Sequence, residues 1–464
     1  MSGPVLLGAD LGTSGLKVAA LDLAGDVVAE AEEGYPVDRP QPGWAQTDVG
    51  VWRRALDDAL AALTGRLAGR PVAALGLAGQ MHGAVLVDAA GTALGPALLW
   101  SDQRATAEVQ RWRDLPAGDR AALANPPAPG MTGPLLAWLA VHQPDLVAGA
   151  AAVLLPKDAL RATLVPGGDP AVTDRSDASA TLLWDVPGER WLPAAVAAAG
   201  LAPEQLPVVL PGSTVVGTAD LPVGAVPVVV GAADTPLALL AAGTRSGVQV
   251  NLGSGAQLLR PGPVPRAVSG ALVHRYAGAD GGWYSMAALQ NAGSAWTWVC
   301  TVLGLTWPAF LAAATAAPPG AGGVVFEPFL TGERGGVAGP SARGSWSGLS
   351  ADTSRADLAR AALEGVMFAV AVALDLLGVP EPGETVVVTG GGARDASVQH
   401  LLADVLGRPV QHVQVRSASA AGAAVLAARG VGLELVPRRR PGPVVEPREV
   451  PALGAARERW SAAR

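Results

Sequence analysis

Short apolar runs rich in β-branched residues recur along the chain, and turns rich in glycine and serine separate them. Residues 5–22 contain two such runs on either side of Gly12–Gly15, which is the pattern of a β-hairpin. Near the middle of the chain, Val226–Val230 and Val248–Val250 are two more strand-like runs, and a glycine-serine turn at 251–255 follows the second. The spacing predicts buried strands joined by tight turns.

Segments with helical spacing of apolar residues lie between these strands, and this alternation favours an α/β fold. The longest follows Thr353 or Ser354, either of which suits an N-cap, and ends near Gly378. By contrast, Asp174–Asp177 is predicted to be a polar loop. Further strands are predicted at 27–29, 72–77, 84–87, 153–155, 385–388 and 410–415, and further helices at 51–67, 397–406 and 420–428.

Two of the predicted hairpins share one plan. D-L-G-T-S-G at 10–15 and N-L-G-S-G at 251–255 each follow an apolar strand and place an Asp or Asn, a Leu and a glycine-serine turn in the same order. The pattern indicates a duplicated fold with a ligand between the copies, and two unrelated hairpins are the alternative. A third glycine turn, Gly390–Gly392, follows a predicted strand, but its spacing is neither the dinucleotide-binding nor the P-loop motif.

Length, composition and charge narrow the class of protein. A chain of 464 residues favours two large domains or three, and 50% hydrophobic with 16% charged residues indicates a well-buried globular protein. A net charge of −7 argues against nucleic acid or an anionic membrane as a general partner. The single cysteine, Cys300, excludes an intrachain disulfide framework and a zinc site of several thiolates. Without a signal peptide or a long apolar run, we expect a soluble, cytoplasmic protein.

Lysine is nearly absent, although arginine is common. Only Lys17 and Lys157 occur, and a GC-rich coding bias accounts for the scarcity. Under such a bias, the two remaining lysines are candidates for positions that need this side chain.

The candidate chemistry centres on Asp234, which has no charged neighbour along the chain before Arg245. A lone carboxylate in so apolar a setting is costly to bury, so it is expected to be paired or functional. The glycine-serine turns offer backbone N–H groups and hydroxyls, which suit a phosphate. The sequence therefore predicts a base and a phosphate-binding site that share one cleft.

An ordered set of motifs resembles the FGGY carbohydrate kinases of the actin/Hsp70/sugar-kinase superfamily, and within that family most resembles the xylulokinases. The likeness runs from about residue 5 to 430, and A-G-Q-M-H-G is its most xylulokinase-like piece. The motifs are D-L-G-T-S-G-L-K at 10–17, A-G-Q-M-H-G at 78–83, L-W-S-D-Q-R at 99–104, G-M-T-G-P at 130–134, L-L-P-K-D at 154–158, S-D-A-S at 176–179, G-A-A-D at 231–234, N-L-G-S-G at 251–255, F-L-T-G-E-R at 329–334 and G-G-G-A-R at 390–394.

The resemblance implies an α/β protein of two actin-like domains, with the ribonuclease H-like fold of the ASKHA superfamily, which close on ATP, Mg²⁺ and a sugar. We expect a sugar-binding N-terminal domain over 1–243 and a nucleotide-binding C-terminal domain over 244–464. By motif position, Asp234 corresponds to the catalytic base of the family, and Asp10 corresponds to the acid near the metal and phosphates. Residues that fall on nucleotide-contacting turns are Gly12, Thr13, Ser14, Gly253, Ser254, Gly391 and Gly392.

Other motif residues correspond to sugar-binding positions of the family or have two possible roles. Met81 and His82 fall on the sugar-contacting pair, and Trp100 is a candidate wall of the pocket. Asp102 and Arg104 reach the sugar or bridge the domains. In addition, Lys17 reaches phosphate or pairs with an acid, and Glu333-Arg334 is expected to be an ion pair that steadies its loop.

The resemblance implies transfer of a phosphoryl group from ATP to a ketopentose, with D-xylulose to D-xylulose 5-phosphate as the best match. Two departures from the family pattern leave the sugar open: Thr235-Pro236-Leu237 follow the base, and Leu135 replaces a usual lysine. Ribulose, gluconate, glycerol or a deoxy-sugar is therefore the alternative acceptor, and a non-catalytic sugar or nucleotide sensor is a remote one. A homodimer is left open.

Overall fold

The computed structural model describes residues 3–333, 336–378 and 383–463. In this part of the chain the strands are β1 (Val5–Leu11), β2 (Gly15–Asp22), β3 (Val27–Gly34), β4 (Gln46–Thr47), β5 (Val72–Gly79), β6 (Val85–Val87), β7 (Ala97–Leu98), β8 (Ala152–Leu154), β9 (Val172–Asp174), β10 (Trp184–Asp185), β11 (Arg190–Trp191), β12 (Val208–Leu210), β13 (Val215–Leu221), β14 (Gly224–Val229), β15 (Ala232–Ala233), β16 (Gln249–Leu252), β17 (Ala256–Gly262), β18 (His274–Ala277), β19 (Trp283–Leu289), β20 (Val325–Glu327), β21 (Ser345–Ser347), β22 (Val386–Thr389), β23 (Val410–Val415) and β24 (Arg439–Val445). The helices are α1 (Val49–Thr64), α2 (Val109–Arg113), α3 (Ala117–Leu123), α4 (Thr132–His142), α5 (Pro144–Gly149), α6 (Pro156–Leu164), α7 (Arg175–Ser179), α8 (Pro193–Ala198), α9 (Asp234–Ala242), α10 (Gly293–Leu303), α11 (Trp307–Ala316), α12 (Arg355–Leu376), α13 (Ala396–Leu406), α14 (Ala418–Gly430) and α15 (Pro451–Ala462).

Two large sheets repeat one topology. The first has the order β13-β14-β5-β1-β2-β3 with β15 beside β5, and the second has the order β18-β19-β17-β16-β22-β23-β24. In each sheet an antiparallel hairpin, β1–β2 or β16–β17, pairs through its first strand with a parallel strand, β5 or β22. The predicted duplication is therefore confirmed, and the two matching hairpins occupy equivalent positions in the two halves.

Each sheet has its own apolar core. Trp52 and Leu56 of α1 pack with Leu7 of the first sheet, whereas Phe310 of α11 and Val366 of α12 pack in the cluster of the second sheet. These side chains are fully buried. Two such cores account for a chain that is too long for one.

Helix α14 joins the halves, because in sequence it lies between β23 and β24 of the second sheet but it packs on β1, β5 and α9 of the first half. The contact is so close that it requires glycine in the sheet. A Cβ at Gly8 would lie 1.7 Å from the carbonyl oxygen of Ala420, and one at Gly76 would lie 2.1 Å from that of Ala423. Helix α14 is alanine-rich for the same reason, since larger side chains would separate it from the sheet. The domain boundary at 243/244 stays a prediction.

Gly8→Ala is expected to destabilise the protein by about 3 kcal/mol or more, because the added methyl group meets backbone that has no room to move. Gly118→Ala is the matched control, since a Cβ at Gly118 in α3 has no neighbour within 4 Å. Urea unfolding followed by circular dichroism measures both. An unfolding midpoint for Gly8→Ala equal to that of Gly118→Ala would show that the close approach is not required.

Two predicted features differ from the structure. The segment from 226 to 257 contains the helix α9 from Asp234 to Ala242, which the sequence did not predict. Its residues after the first turn are almost all apolar because both sides of the helix are covered, so it lacks the one-sided pattern of a surface helix. The predicted polar loop Asp174–Asp177 is the end of β9 and the first turns of α7, whose N-cap is Asp174.

No helix within the described ranges is by itself long and apolar enough to cross a membrane. Only α10 and α11 taken together, which are bent by 88° at the break between them, pass a test of length and hydropathy.

Candidate active site

Two carboxylates flank the carboxyl end of β5. Asp10 of β1 pairs in register with Ala78, and Ala232 of β15 pairs with the same residue from the other side. Since neighbouring strands lie about 4.8 Å apart, the two flanking backbones are about 10 Å apart. Asp234 follows β15 directly and begins α9. The fold therefore brings together two acids that are more than two hundred residues apart in sequence.

Both acids hold their protons more tightly than an exposed carboxyl group does. Burial and the nearby charge of Asp234 raise the pKa of Asp10 to about 7, against the opposing attraction of Lys17. Burial raises the pKa of Asp234 to about 6, although the Thr235 hydroxyl and N–H donate to its Oδ1 at 3.1 and 2.6 Å and favour the charged form. Both groups are therefore poised to exchange protons or bind a cation near neutral pH.

Hydrogen bonds from neighbouring side chains hold the turn of the first hairpin. Gly12 O accepts hydrogen bonds from Tyr35 Oη at 2.6 Å and Gln80 Nε2 at 3.1 Å. The Thr13 hydroxyl accepts one from Trp100 Nε1 at 2.9 Å, and Ser14 is exposed at the tip. Trp100 thus lies against the turn that was predicted to contact phosphate.

The turn of the second hairpin is held by the start of α10. Gly253 O accepts from Gly293 N at 3.1 Å, and Ser254 O accepts from Ser294 N at 2.9 Å. Gly390, which has a φ of +92°, also packs here, since a Cβ would lie 2.4 Å from the carbonyl oxygen of Leu252. The structure therefore brings the predicted nucleotide turns 253–254 and 390–392 together, and a Cβ at Gly391 would meet open space.

The sugar-side pair Met81 and His82 follows the end of β5 after one residue, Gln80. His82 has a φ of +65°, and its Nδ1 donates to Ala180 O at 2.7 Å, which fixes the orientation of the ring. Met81 is nearly buried. The pair therefore lies at the same end of β5 as the two acids.

Two tyrosines from the second half of the chain complete this region. Tyr284 of β19 points its hydroxyl at Met81 Sδ, 3.8 Å away, and the ring of Tyr276 of β18 packs edge-on against His82 at 5.9 Å. Burial raises the pKa of Tyr284, and the charges of Tyr276 and Asp234 add to this shift. Sequence analysis missed both tyrosines because no motif marks them; their one signal is alternation within apolar strands.

Asp102 and Arg104 form bonds with each other and with neighbouring residues of the protein. Asp102 is fully buried and accepts from Arg104 Nε at 2.9 Å and from Ala45 N at 2.7 Å. The guanidinium of Arg104 also stacks on Trp44, 3.8 Å from the ring centroid. In place of sugar contact or domain bridging, we therefore propose that this pair supports the strand end that carries Trp100.

Of the two readings for Lys17, the structure shows the ion pair. Lys17 Nζ lies 2.8 Å from Glu32 Oε2 on the neighbouring strand. In the other half, the buried carboxylate of Glu333 accepts from Gln290 N at 2.8 Å and Asn291 Nδ2 at 3.1 Å, so it supports the start of α10. Its predicted partner Arg334 lies outside the described residues.

The donor groups suit a magnesium ion that keeps much of its water. No cluster of three or more His, Cys, Asp or Glu side chains that could hold a metal occurs in the described ranges. Asp10 would supply one hard oxygen ligand, beside the hydroxyl-bearing turn at Thr13. Mg²⁺ is usually bound by one or two carboxylates together with substrate phosphates and water, so the residues present fit this ion.

Comparison with known proteins accounts for both halves of the chain. Residues 5–241 match the N-terminal domain, and residues 248–431 the C-terminal domain, of the FGGY family of carbohydrate kinases. The chain belongs to this family. It is an ATP-dependent carbohydrate kinase with the two-domain, actin-like fold and interdomain cleft that the motifs implied.

Relatives within the family span most of this FGGY kinase. The xylulose kinase of Escherichia coli (strain K12) is 36% identical over 446 residues, which cover 91% of this chain and 88% of the relative. A glycerol kinase of Gloeobacter violaceus is 32% identical over 443 residues, with 92% and 88% covered. The solved xylulose kinase of Rhodospirillum rubrum superposes with a TM-score of 0.88 at 27% identity, with 99% and 98% covered.

Proposed function

We propose that this FGGY kinase phosphorylates a ketopentose, with D-xylulose to D-xylulose 5-phosphate as the best candidate, and that Asp234 is the general base. The observation that carries the proposal is the placement of Asp10 and Asp234 on either side of β5, with Met81 and His82 following that strand. The relatives named xylulose kinase support the choice of sugar.

In the proposed mechanism Asp234 orients the sugar hydroxyl and accepts its proton. The two hydrogen bonds from Thr235 both reach Oδ1, and in this mechanism Oδ2 faces the hydroxyl. A pKa of about 6 makes the group a better base than an exposed carboxylate, yet still ionised at neutral pH. Positioning carries most of the catalysis, because the transition state of phosphoryl transfer is loose.

The remaining predicted residues bind and orient the nucleotide. Asp10 would hold Mg²⁺, which when bound neutralises charge on the ATP phosphates. The hairpin turns at 12–14 and 253–254 would bind phosphate oxygens through backbone N–H groups and hydroxyls. Gly391 and Gly392 would let the backbone approach the adenosine, for which the open space at Gly391 leaves room. Because ATP is the donor, the proposal places the reaction in the cytoplasm; a homodimer is compatible with it.

One residue of the proposed sugar-binding side favours a second class of acceptor. Leu135, at the position of the usual family lysine, is fully buried in the same apolar cluster as Met81. The lysine that is usual in the family is therefore replaced by a buried apolar side chain. This change, together with the relative named glycerol kinase, favours a smaller or less polar acceptor as the alternative.

Purified protein with ATP and Mg²⁺, assayed for ADP release on a panel of sugars, tests the proposal. We expect the highest kcat/KM with D-xylulose and lower values with ribulose, gluconate and glycerol. A preference for glycerol or gluconate would replace the ketopentose assignment, and the absence of turnover on every sugar despite nucleotide binding would refute the kinase mechanism.

A further inference from the structure

Five charged side chains are buried together next to the carboxyl end of β5. Lys157 Nζ lies 2.6 Å from Asp158, 3.1 Å from Asp174 and 3.0 Å from Asp177, and Arg161 lies 2.9 Å from Asp158. Each of these side chains is at most 4% exposed. The cluster thus contains one of the two lysines of the whole chain, and the proposed mechanism does not use it.

The cluster reaches the residue before the base through one ion pair and two hydrogen bonds. Asp174 forms an ion pair with Lys157. It also accepts hydrogen bonds from the hydroxyl and the N–H of Ser176, at 2.5 and 2.7 Å. The same Ser176 oxygen accepts from the backbone N–H of Ala233 at 2.9 Å. This N–H belongs to the Ala232–Ala233 peptide, so the bond anchors the backbone directly before Asp234, the residue that carries the carboxylate.

A second contact ties the cluster to the same point of the sheet. A Cβ at Gly79 would lie 2.6 Å from Cβ of Lys157, so the lysine stem packs directly on the end of β5. Gly79 pairs with Ala233 in register. Lys157 therefore touches both the strand that supports β15 and the carboxylate that holds Ser176.

Stability alone does not explain so many buried charges. Burial disfavours the charged ammonium, but attraction to Asp158, Asp177 and Asp174 outweighs it and raises the pKa of Lys157, which stays charged. A buried ion network is often no more stabilising than well-packed apolar residues of the same volume. What it supplies here is a fixed position for Lys157, because three buried carboxylates lie within 2.6 to 3.1 Å of its ammonium group.

We propose that Lys157, Asp174 and Ser176 are positioning residues that hold the Ala232–Ala233 peptide so that the carboxylate of the next residue, Asp234, meets the sugar hydroxyl. The inference rests on the proposed function of Asp234 as the base. It predicts that the hydroxyl of Ser176 contributes to the rate of transfer and little to substrate binding.

Ser176→Ala tests this with the sugar that gives the highest turnover in the panel, so the outcome does not depend on which sugar that is. Removing the hydroxyl frees the Ala233 peptide, and a displacement of the base by about 1 Å is enough to lower the rate strongly. We expect kcat to fall about 10- to 100-fold, while KM for sugar and ATP each change less than about threefold.

Thr181→Val is the matched control, because the Thr181 hydroxyl is also buried and also donates and accepts one bond, but to Ala178 O and from Leu183 N. We expect its kcat to stay within twofold of wild type. If Ser176→Ala does not fold, Ser176→Cys keeps the volume but gives Ala233 a weak acceptor, and the same loss in kcat is expected.

Equal kcat values for the Ser176 variant and Thr181→Val would overturn the positioning role, as would a loss confined to KM. Asp234→Asn separates this failure from failure of the proposed function. If Asp234→Asn is inactive and Ser176→Ala is fully active, only the positioning role fails. If Asp234→Asn keeps the wild-type rate, the assignment of the base fails and the positioning role fails with it.

Discussion

Asp234→Asn is expected to lower kcat for phosphoryl transfer by about 10²- to 10⁴-fold, the usual contribution of a general base. Asparagine has the same shape and keeps an oxygen to accept from Thr235, so the start of α9 is preserved. It cannot take the proton of a sugar hydroxyl. The affinity for ATP, measured by titration calorimetry, is expected to change less than about threefold.

The acid side of the pH profile provides a second measurement of the same assignment. Since Asp234 has a pKa of about 6, kcat/KM of the wild-type protein is expected to fall as the pH drops below 6, where the base is protonated. Asp220→Asn, which removes an exposed carboxylate at the edge strand β13, is the control and is expected to leave both kcat and the profile unchanged. A wild-type rate in Asp234→Asn would contradict the role.

Asp10→Asn is expected to stabilise the nucleotide-free protein while it abolishes most activity. In the folded protein the pKa of Asp10 is about 7, against about 3.8 for an ordinary Asp. The folded state therefore binds the extra proton between pH 4 and pH 7, and stability falls as the pH rises through this window. Asparagine does not titrate, so the variant escapes this loss.

The stabilisation has a defined pH dependence and size. We expect no difference below pH 4 and a gain in unfolding free energy of about 1 to 3 kcal/mol at pH 8, which is less than the full pKa shift because Asp10 keeps some contact with solvent. Urea unfolding without ATP or Mg²⁺, at pH 4 and pH 8, measures it, with Asp220→Asn as control. Equal unfolding free energies for Asp10→Asn and the wild type at pH 8 would show that the ionised carboxylate of Asp10 does not destabilise the fold.

The parts of the fold that the sequence predicted are those with local signals. The hairpin at 5–22 and the turn at 390–392 depend on glycine spacing over a few residues, and the long helix after Ser354 carries its own capping box. Helix α9 was missed because burial on all sides removes the periodicity by which a helix is recognised. The sequence pattern therefore fails to indicate secondary structure where the two halves of the chain meet, because the residues there are buried on all sides.

The site was predictable only as far as its motifs are contiguous. Asp234 and His82 lie in short motifs, whereas Tyr284 reaches Met81 only because β19 of the second sheet packs over the first half. The ligands of Lys157 are spread from 158 to 177, and no spacing rule for them exists. Asp102 lies at a strand end, where functional groups concentrate, yet its oxygens are taken up by Ala45 and Arg104.

Helix α14 has a consequence for the order of synthesis. The face of the first sheet around Leu6 and Ala78 is covered by residues 418–430, which leave the ribosome long after that sheet has been made. A nascent first half therefore carries an exposed apolar surface until translation is almost complete, and such surfaces invite aggregation or chaperone binding. The contact between Gly8 and Ala420 joins residues more than four hundred positions apart, so its formation belongs to the late, slow steps of folding.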